Sequence, residues 1–376
     1  MNRNYKLKDF AQDVSIAVKD AQSSPYDRFV GLEHYDSGEP VITRYTDTSL
    51  LSSSVKEFHA NDILIARRNV YLRRAGIAFF DGLTSGDSIV LRIYDDCEQR
   101  TGIPKEDAIK IIPFILNSNL FWAYANKHAD GMNSKRISKE MLYDYEFTLP
   151  SLAEQRVLAD KLWAAYHLKE SYRKLLASTQ EMVKSQFIEM FASSDCVPLN
   201  SLVTLSKSSV LPKEGITYTL YSFPAFDNNQ TPEVVDGGEI KSSKIVLEDN
   251  VVLFNKLNVR LARVWNISSL TTLNNVCSSE FLPLKVKEPN VISQSFLYRI
   301  LSSDFVTKKM MDCSTGTSNS QKRIAPSSLM NLRVPLPPKD DQQMFVAIAE
   351  QADKSEFELR KSIESIDAVI KSLINS

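Results

Sequence analysis

The side chains best equipped for chemistry are a run of arginines. Arg67, Arg68, Arg73 and Arg74 fall within eight residues, interleaved with Asn69 and Tyr71, and no acid interrupts the stretch from Ile63 to Phe80. Guanidinium forks pair with phosphate oxygens and bridge O6 and N7 of guanine, while a carboxamide matches the edge of adenine. The patch therefore suits phosphate anchoring and base reading; a solvated strand-turn-strand face is the plainer alternative. A second basic group, Asn133-Ser134-Lys135-Arg136, lies in a polar turn, and Asn319-Ser320-Gln321-Lys322-Arg323 repeats its character. Lys-Arg loops of this kind contact phosphates while their Asn, Ser and Gln neighbours reach base edges; the alternative is a loop clamped against its own domain.

Catalytic chemistry finds little support. His34, His59, His128 and His167 are dispersed, with Glu33-His34-Tyr35-Asp36 the nearest approach to a catalytic pair. Asp227, Glu239 and Lys241 echo an acidic, metal-assisted nuclease set, but on a loop and without a counterpart in the first half. Cys97, Cys196, Cys277 and Cys313 form no C-x-x-C pair and read as reduced thiols. No G-x-G-x-x-G, no P-loop and no Asn/Asp-Pro-Pro-Tyr/Phe signature occurs. We expect no catalytic, cofactor-binding or metal residues in this chain.

With 376 residues, 43% hydrophobic and 24% charged, the chain has the composition of a globular protein of two or three domains. No apolar run spans a membrane and the N-terminus has no signal-type core, so the expectation is cytoplasmic with no membrane partner. A formal net charge of −1 does not announce a polyanion partner, yet it can conceal a local basic patch.

The elements that position these groups come in two copies. Lys135-Arg136-Ile137, Leu142, Leu149-Pro150 and Gln155 recur as Lys322-Arg323-Ile324, Leu329, Leu336-Pro337 and Gln342: 322 against 135, 329 against 142, 336 against 149 and 342 against 155, a constant step of 187. Upstream, Asn69 to Arg74 lies over Asn258 to Arg263, so Lys256, Asn258, Arg260 and Arg263 form the second basic patch. Phe29–Leu32, Asp62–Ile65 and Ser88–Ile93 read as strands, and Ala108–Lys127 as a buried helix interrupted near Pro113 and Asn117.

Each copy ends in a long helix. Ser151-Leu152-Ala153-Glu154 has capping-box spacing, and about forty residues without proline or glycine follow. Leu158, Leu162, Ala165, Leu168, Tyr172, Leu175, Leu176, Met182, Val183, Phe187 and Met190 mark an apolar stripe. The second helix, Asp340 to about Leu373, repeats apolar residues seven apart at Phe345, Ala352, Leu359, Ile366 and Leu373, a coiled-coil seam. A first helix of about 57 Å is most simply paired antiparallel, which predicts a dumbbell with pseudo-twofold symmetry.

At these residues the chain resembles the specificity subunit of type I restriction-modification enzymes. The likeness rests on Gly31 to Gly38, Asp62 to Asn69, Asp81-Gly82-Leu83-Thr84-Ser85-Gly86-Asp87, Tyr145 to Gln155, and Ile324 through Val334-Pro335-Leu336-Pro337-Pro338 to Gln342. The second half departs from it, offering only Cys277-Ser278-Ser279-Glu280 for the Asp-Gly-x-x-Ser-Gly-Asp run. The resemblance implies an α+β fold class: two tandem target recognition domains, 1–150 and 195–338, and two spacer helices, 151–194 and 339–376, in an antiparallel coiled coil. It implies a non-catalytic DNA-recognition subunit that reads a bipartite, gapped target in double-stranded DNA, the helix length setting the gap. Its partners would be two modification subunits, which bring S-adenosylmethionine and methylate adenine, and two restriction subunits, which use ATP and Mg. A protein-interaction scaffold with two modules on a coiled coil is the alternative from another class.

Overall fold

In a computed structural model, the structure describes residues 3–21, 24–50, 55–132, 134–206, 208–270, 274–316 and 322–375. Its contacts divide the chain into two units: Met1–Lys174 with Leu359–Ser376, and Leu175–Glu358. Each long helix is shared between them.

The first unit contains two five-stranded sheets. One runs in the order Ala11–Asp13, Ser88–Ile93, Ile63–Ala66, Ala75–Ala78, Val41–Ile42, antiparallel except for its last pair. Because side chains alternate along a strand, Ile63, Ile65, Ile77, Ile89, Leu91 and Ile93 face the helices, while Leu64, Ala66, Ala78 and Val90 face a second core. Both faces are buried, which is why Asp62–Ile65 and Ser88–Ile93 read as continuous apolar runs rather than alternating ones. Full burial of each such side chain contributes roughly 1.5–3 kcal/mol. The other sheet has the order Ile16–Val18, Val55–Phe58, Gly82–Ser85, Arg28–Val30, Thr46–Asp47.

The second unit repeats this plan. Val203–Leu205, Phe281–Val286, Val251–Asn255 and Val264–Ile267 form the first sheet, and Ser209–Val210, Lys244–Val246, Asn275–Cys277, Thr217–Tyr221 and Glu233–Asp236 the second. Each second sheet has one parallel pair at the same place in its order. In each copy the first strand also pairs with the last one before the long helix: Arg3–Lys6 with Glu146–Leu149, and Cys196–Pro198 with Arg333–Pro335.

Helices Lys105–Ile115 and Asn119–Lys127 replace the interrupted stretch expected from Ala108 to Lys127. Pro113 sits inside the first; the break falls at residues 116–118, where the Ser118 hydroxyl accepts the Phe121 amide and starts the second.

The long helices are Leu152–Phe191 and Lys339–Asn375. At the first one's start, the Glu154 carboxylate accepts both the amide and the hydroxyl of Ser151, at 3.0 and 2.7 Å. In the first unit, Leu158, Leu162 and Tyr166 pack in one core with Ile366, Ile370, Leu373 and Ile374. In the second, Val183, Phe187, Met190 and Phe191 pack with Phe345, Val346 and Ala349, and the Phe187 and Phe345 rings stand 5.4 Å apart. Each unit therefore sets the beginning of one helix against the end of the other. The expected stripe needs correction in its middle: Leu168, Leu175 and Met182 are about half exposed, while Lys169 is buried. Those three lie seven apart, a row on another flank of the helix; Leu162, Tyr166, Lys169 and Arg173 follow the inward three- and four-residue steps. Among the described residues, no helix is long and apolar enough to cross a membrane.

Candidate nucleic-acid interface

The two basic groups read from the first half meet in one place. Beyond strand Ile63–Ala66 the chain turns through a short 3-10 segment, Val70–Leu72, before strand Ala75–Ala78, with Asn69 and Arg73 in left-handed backbone at φ 54° and 50°. Asparagine tolerates that region better than most residues. A strap, residues 134–137, lies across this turn. The Ile137 amide donates to the Arg67 carbonyl at 3.0 Å and the Asn69 amide to the Lys135 carbonyl at 2.7 Å. The strap is closed by two Asp130–Arg136 backbone hydrogen bonds, and the Arg67 amide donates to the Asp87 carbonyl at 3.0 Å. Gly131, at φ +119°, supplies the close turn; a Cβ there would stand 3.0 Å from the Ser134 carbonyl oxygen.

The second unit rebuilds this arrangement bond for bond. Ile324 donates to Lys256, Asn258 to Lys322 and Lys256 to Glu280, at 3.0, 2.8 and 2.9 Å, and Thr315 and Arg323 close the strap. Asn258 repeats the left-handed conformation at φ 53°. Candidates Asn319 and Gln321, with their neighbour Ser320 and with Asn133 of the first group, lie outside the described residues.

One acid serves each strap. The Asp87 carboxylate lies 3.6 Å from both Arg68 and Arg136, and Glu280 accepts both arms of Arg323 at 3.2 and 3.0 Å. Glu280 thus does in the second unit what Asp87 does in the first, although the run around it looks broken in sequence. Both acids stand in the quoted motifs without an evident role; the signal that could have found them is their place at the tip between two strands.

The arginines divide by engagement. Arg68 donates to Ser134 Oγ at 2.8 Å and Arg73 to Asn119 Oδ1 at 3.0 Å, yet both remain exposed, as do Tyr71, Lys135 and Arg136. Arg74 turns inward, donating to the carbonyls of Leu32 and Arg68, and burial pushes its guanidinium down from the usual value. Arg67 is half-buried, with a buried Nε that meets no partner. In the second unit, Arg263 is committed elsewhere: it grips Asp227 with two hydrogen bonds of 2.8 and 2.7 Å and lies over the Phe223 ring. That grip holds the Asp227 carboxyl below its usual value. Arg260 is exposed, and Arg260, Asn258 and Lys322 border one shallow hollow with Met311 and Ser314. The side-chain oxygens of Asn69 and Asn258 are buried and meet no partner; what suits both residues to the turn is their left-handed backbone.

Asn255 carries no signal in the sequence that marks it out. Fully buried, it donates from Nδ2 to the carbonyls of Leu257, Leu261 and Asn258 and accepts the Arg263 amide at 3.1 Å, so one carboxamide shapes the whole turn. Ala66 holds the corresponding place in the first unit, where the Arg74 side chain ties the turn instead. Among the described residues, no group of three or more His, Cys, Asp or Glu could hold a metal ion.

Residues 189–366 match the sequence model of the type I restriction modification DNA specificity domain. No curated protein matches the chain. Two solved structures resemble it along its length. One, described as the structural basis underlying complex assembly and conformational transition of the type I R-M system, covers 99% of this chain and 96% of its own at 16% identity, with a TM-score of 0.54. The type I restriction-modification system S subunit from M. genitalium covers 100% and 95% at 12% identity, with a TM-score of 0.58. At those identities the likeness speaks for the fold. The sequence match speaks for the second half, and the first half repeats its sheets and its strap. The second half of the chain is therefore similar in sequence to type I restriction modification DNA specificity domains, and the whole chain shares the fold of a solved type I S subunit.

Proposed function

We propose that the chain reads a DNA target of two half-sites separated by a gap, one half-site for each sheet-rich domain, and carries no catalytic chemistry of its own. The observation that supports this most is the strapped turn, present once per domain beneath exposed cations: Arg68, Arg73, Lys135 and Arg136 in one, Arg260 and Arg323 in the other. Cations of this kind neutralise phosphates and fix register, and neighbouring side chains read base edges. The length of the long helices sets the gap. Their exposed apolar residues, among them Leu168, Leu175, Met182, Ile188, Phe357 and Val369, offer the dock for partners. Those partners are two modification subunits, which bring S-adenosylmethionine and methylate adenine, and two restriction subunits, which use ATP and Mg. A nuclease reading centred on Asp227 and Glu239 is disfavoured, since Arg263 occupies the Asp227 carboxylate.

Mapping methylated adenines in DNA from cells that produce this chain with its modification subunit tests the proposal. A gapped, two-part consensus is the expected result. One uninterrupted short site, or methylation without sequence preference, overturns it.

A further inference from the structure

Two polar pairs interrupt the apolar packing between the long helices. In the first unit, Lys169, only 2% exposed, donates to Asp367 at 2.8 Å and to both carboxylate oxygens of Glu39 at 2.9 and 2.7 Å, while Arg173 also reaches Glu39. In the second unit, Gln180 donates to Glu356 at 2.9 Å. The repeat step of 187 carries position 169 onto 356 and position 180 onto 367. The two pairs are therefore one pair of positions, met twice with different chemistry: cation with acid, then amide with acid.

We propose that Lys169, Gln180, Glu356 and Asp367 form a pairing code by which each long helix selects the other and rejects a copy of itself, so that the partner fitting the first half is the second half of this chain. The apolar residues cannot make that choice. Leu158 and Ile374 of the first unit stand at the positions of Phe345 and Phe187 of the second, and Ile370 at that of Val183, so any pairing of halves buries apolar against apolar. The polar positions do discriminate. Two second halves brought together by the same geometry would set Glu356 of each copy against Asp367 of the other, two contacts between half-buried carboxylates. Two first halves would face Lys169 with Gln180, and the buried cation would lose one of its two acids. Only the mixed pair gives Lys169 an acid, and Glu356 an amide donor, from the facing helix. A single polar position inside a coiled coil commonly fixes which helices pair, at some expense of stability, and like charges placed face to face exclude the wrong partner.

The test begins from the folded full-length chain, with a protease site inserted at Ser193-Ser194, just after the first helix, and cut only after folding. Native mass spectrometry then counts which fragments travel together. The wild-type chain is expected to stay as one first half with one second half. With Glu356→Lys, each second half presents an ammonium group to Asp367 of its copy, and homotypic second-half dimers should rise by about tenfold or more on incubation. Glu356→Gln removes the repulsion without adding attraction and should give a smaller rise; it carries the test if the lysine variant fails to fold. Redistribution of the wild-type fragments into homotypic dimers overturns the proposal. So does a distribution in both variants that cannot be told from wild type.

Discussion

Replacing Asn255 with alanine should unfasten the second strapped turn while leaving the first intact. The native carboxamide donates to the Leu257, Leu261 and Asn258 carbonyls at 3.1, 3.0 and 3.4 Å and accepts the Arg263 amide at 3.1 Å. Alanine removes one partner from a main-chain amide and from three carbonyls; the Arg263 amide keeps the Leu261 carbonyl at 2.7 Å and the Asn258 carbonyl keeps the Leu261 amide at 3.0 Å. The carboxamide nitrogen has two hydrogens to share among the three carbonyls, so about three hydrogen bonds worth roughly 0.5–1.5 kcal/mol net each are lost, a local loss of about 2–4 kcal/mol. Hydrogen exchange read peptide by peptide distinguishes the two units. Amides between Val251 and Ile267 should exchange roughly 30- to 700-fold faster, the same free energy expressed as an opening constant, while those between Ile63 and Ala78 keep their rates. In DNA binding, the half-site read by the second domain should lose its sequence preference and the other should retain it. An acceleration below about threefold, or an equal one in both units, would refute the claim that this side chain builds the turn.

Arg68→Ala or Arg67→Ala should weaken DNA binding by about 1–3 kcal/mol if these side chains read guanine, the more so for the exposed Arg68; fluorescence anisotropy with the modification subunit present checks it, and unchanged affinity removes the residue from the interface. Four residues inserted near Ala177 should lengthen the gap in the methylated consensus or abolish methylation, and an unchanged target excludes the helix as the spacer. Burial pushes the Cys277 thiol up to about 12 and raises that of Cys97, whereas Cys313 is exposed. Because the thiolate is the reactive form, iodoacetamide at pH 8 should label Cys313 first and reach Cys97 and Cys277 only on unfolding, and early labelling of Cys277 would contradict the packing around it.

The duplication and the two long helices were legible because they rest on patterns written along the chain: a constant step of 187, proline stops and apolar spacing. The strands around Ile63 and Ser88 were legible for the same reason. The strap was visible only as two unrelated basic patches, since residues 67–74 and 134–136 are joined by main-chain hydrogen bonds that no side-chain pattern encodes. The roles of Arg74 and Arg263 were hidden more deeply. Both look like interface arginines in a row, yet one turns to the carbonyls of Leu32 and Arg68 and the other to a carboxylate thirty-six residues away. Apolar spacing alone does not mark the inward face of the first helix, since Leu168, Leu175 and Met182 lie about half exposed on another flank. A buried lysine satisfied by two acids faces inward instead, and one of them, Glu39, sits 130 residues before it.

Fastening by the main chain makes the side chains of the proposed reading surface exchangeable. Lys135, Arg260 and Lys322 join the turn through backbone groups or merely border it, so their side chains can be replaced without loosening the strap. Asn69 and Asn258 are not exchangeable in that sense, because a β-branched residue at φ 54° or 53° would bring about 1 kcal/mol or more of strain. On the proposed function, retargeting this protein to a new sequence would be a matter of varying a few side chains on each strap while leaving both asparagines, Asp87, Glu280 and Asn255 untouched.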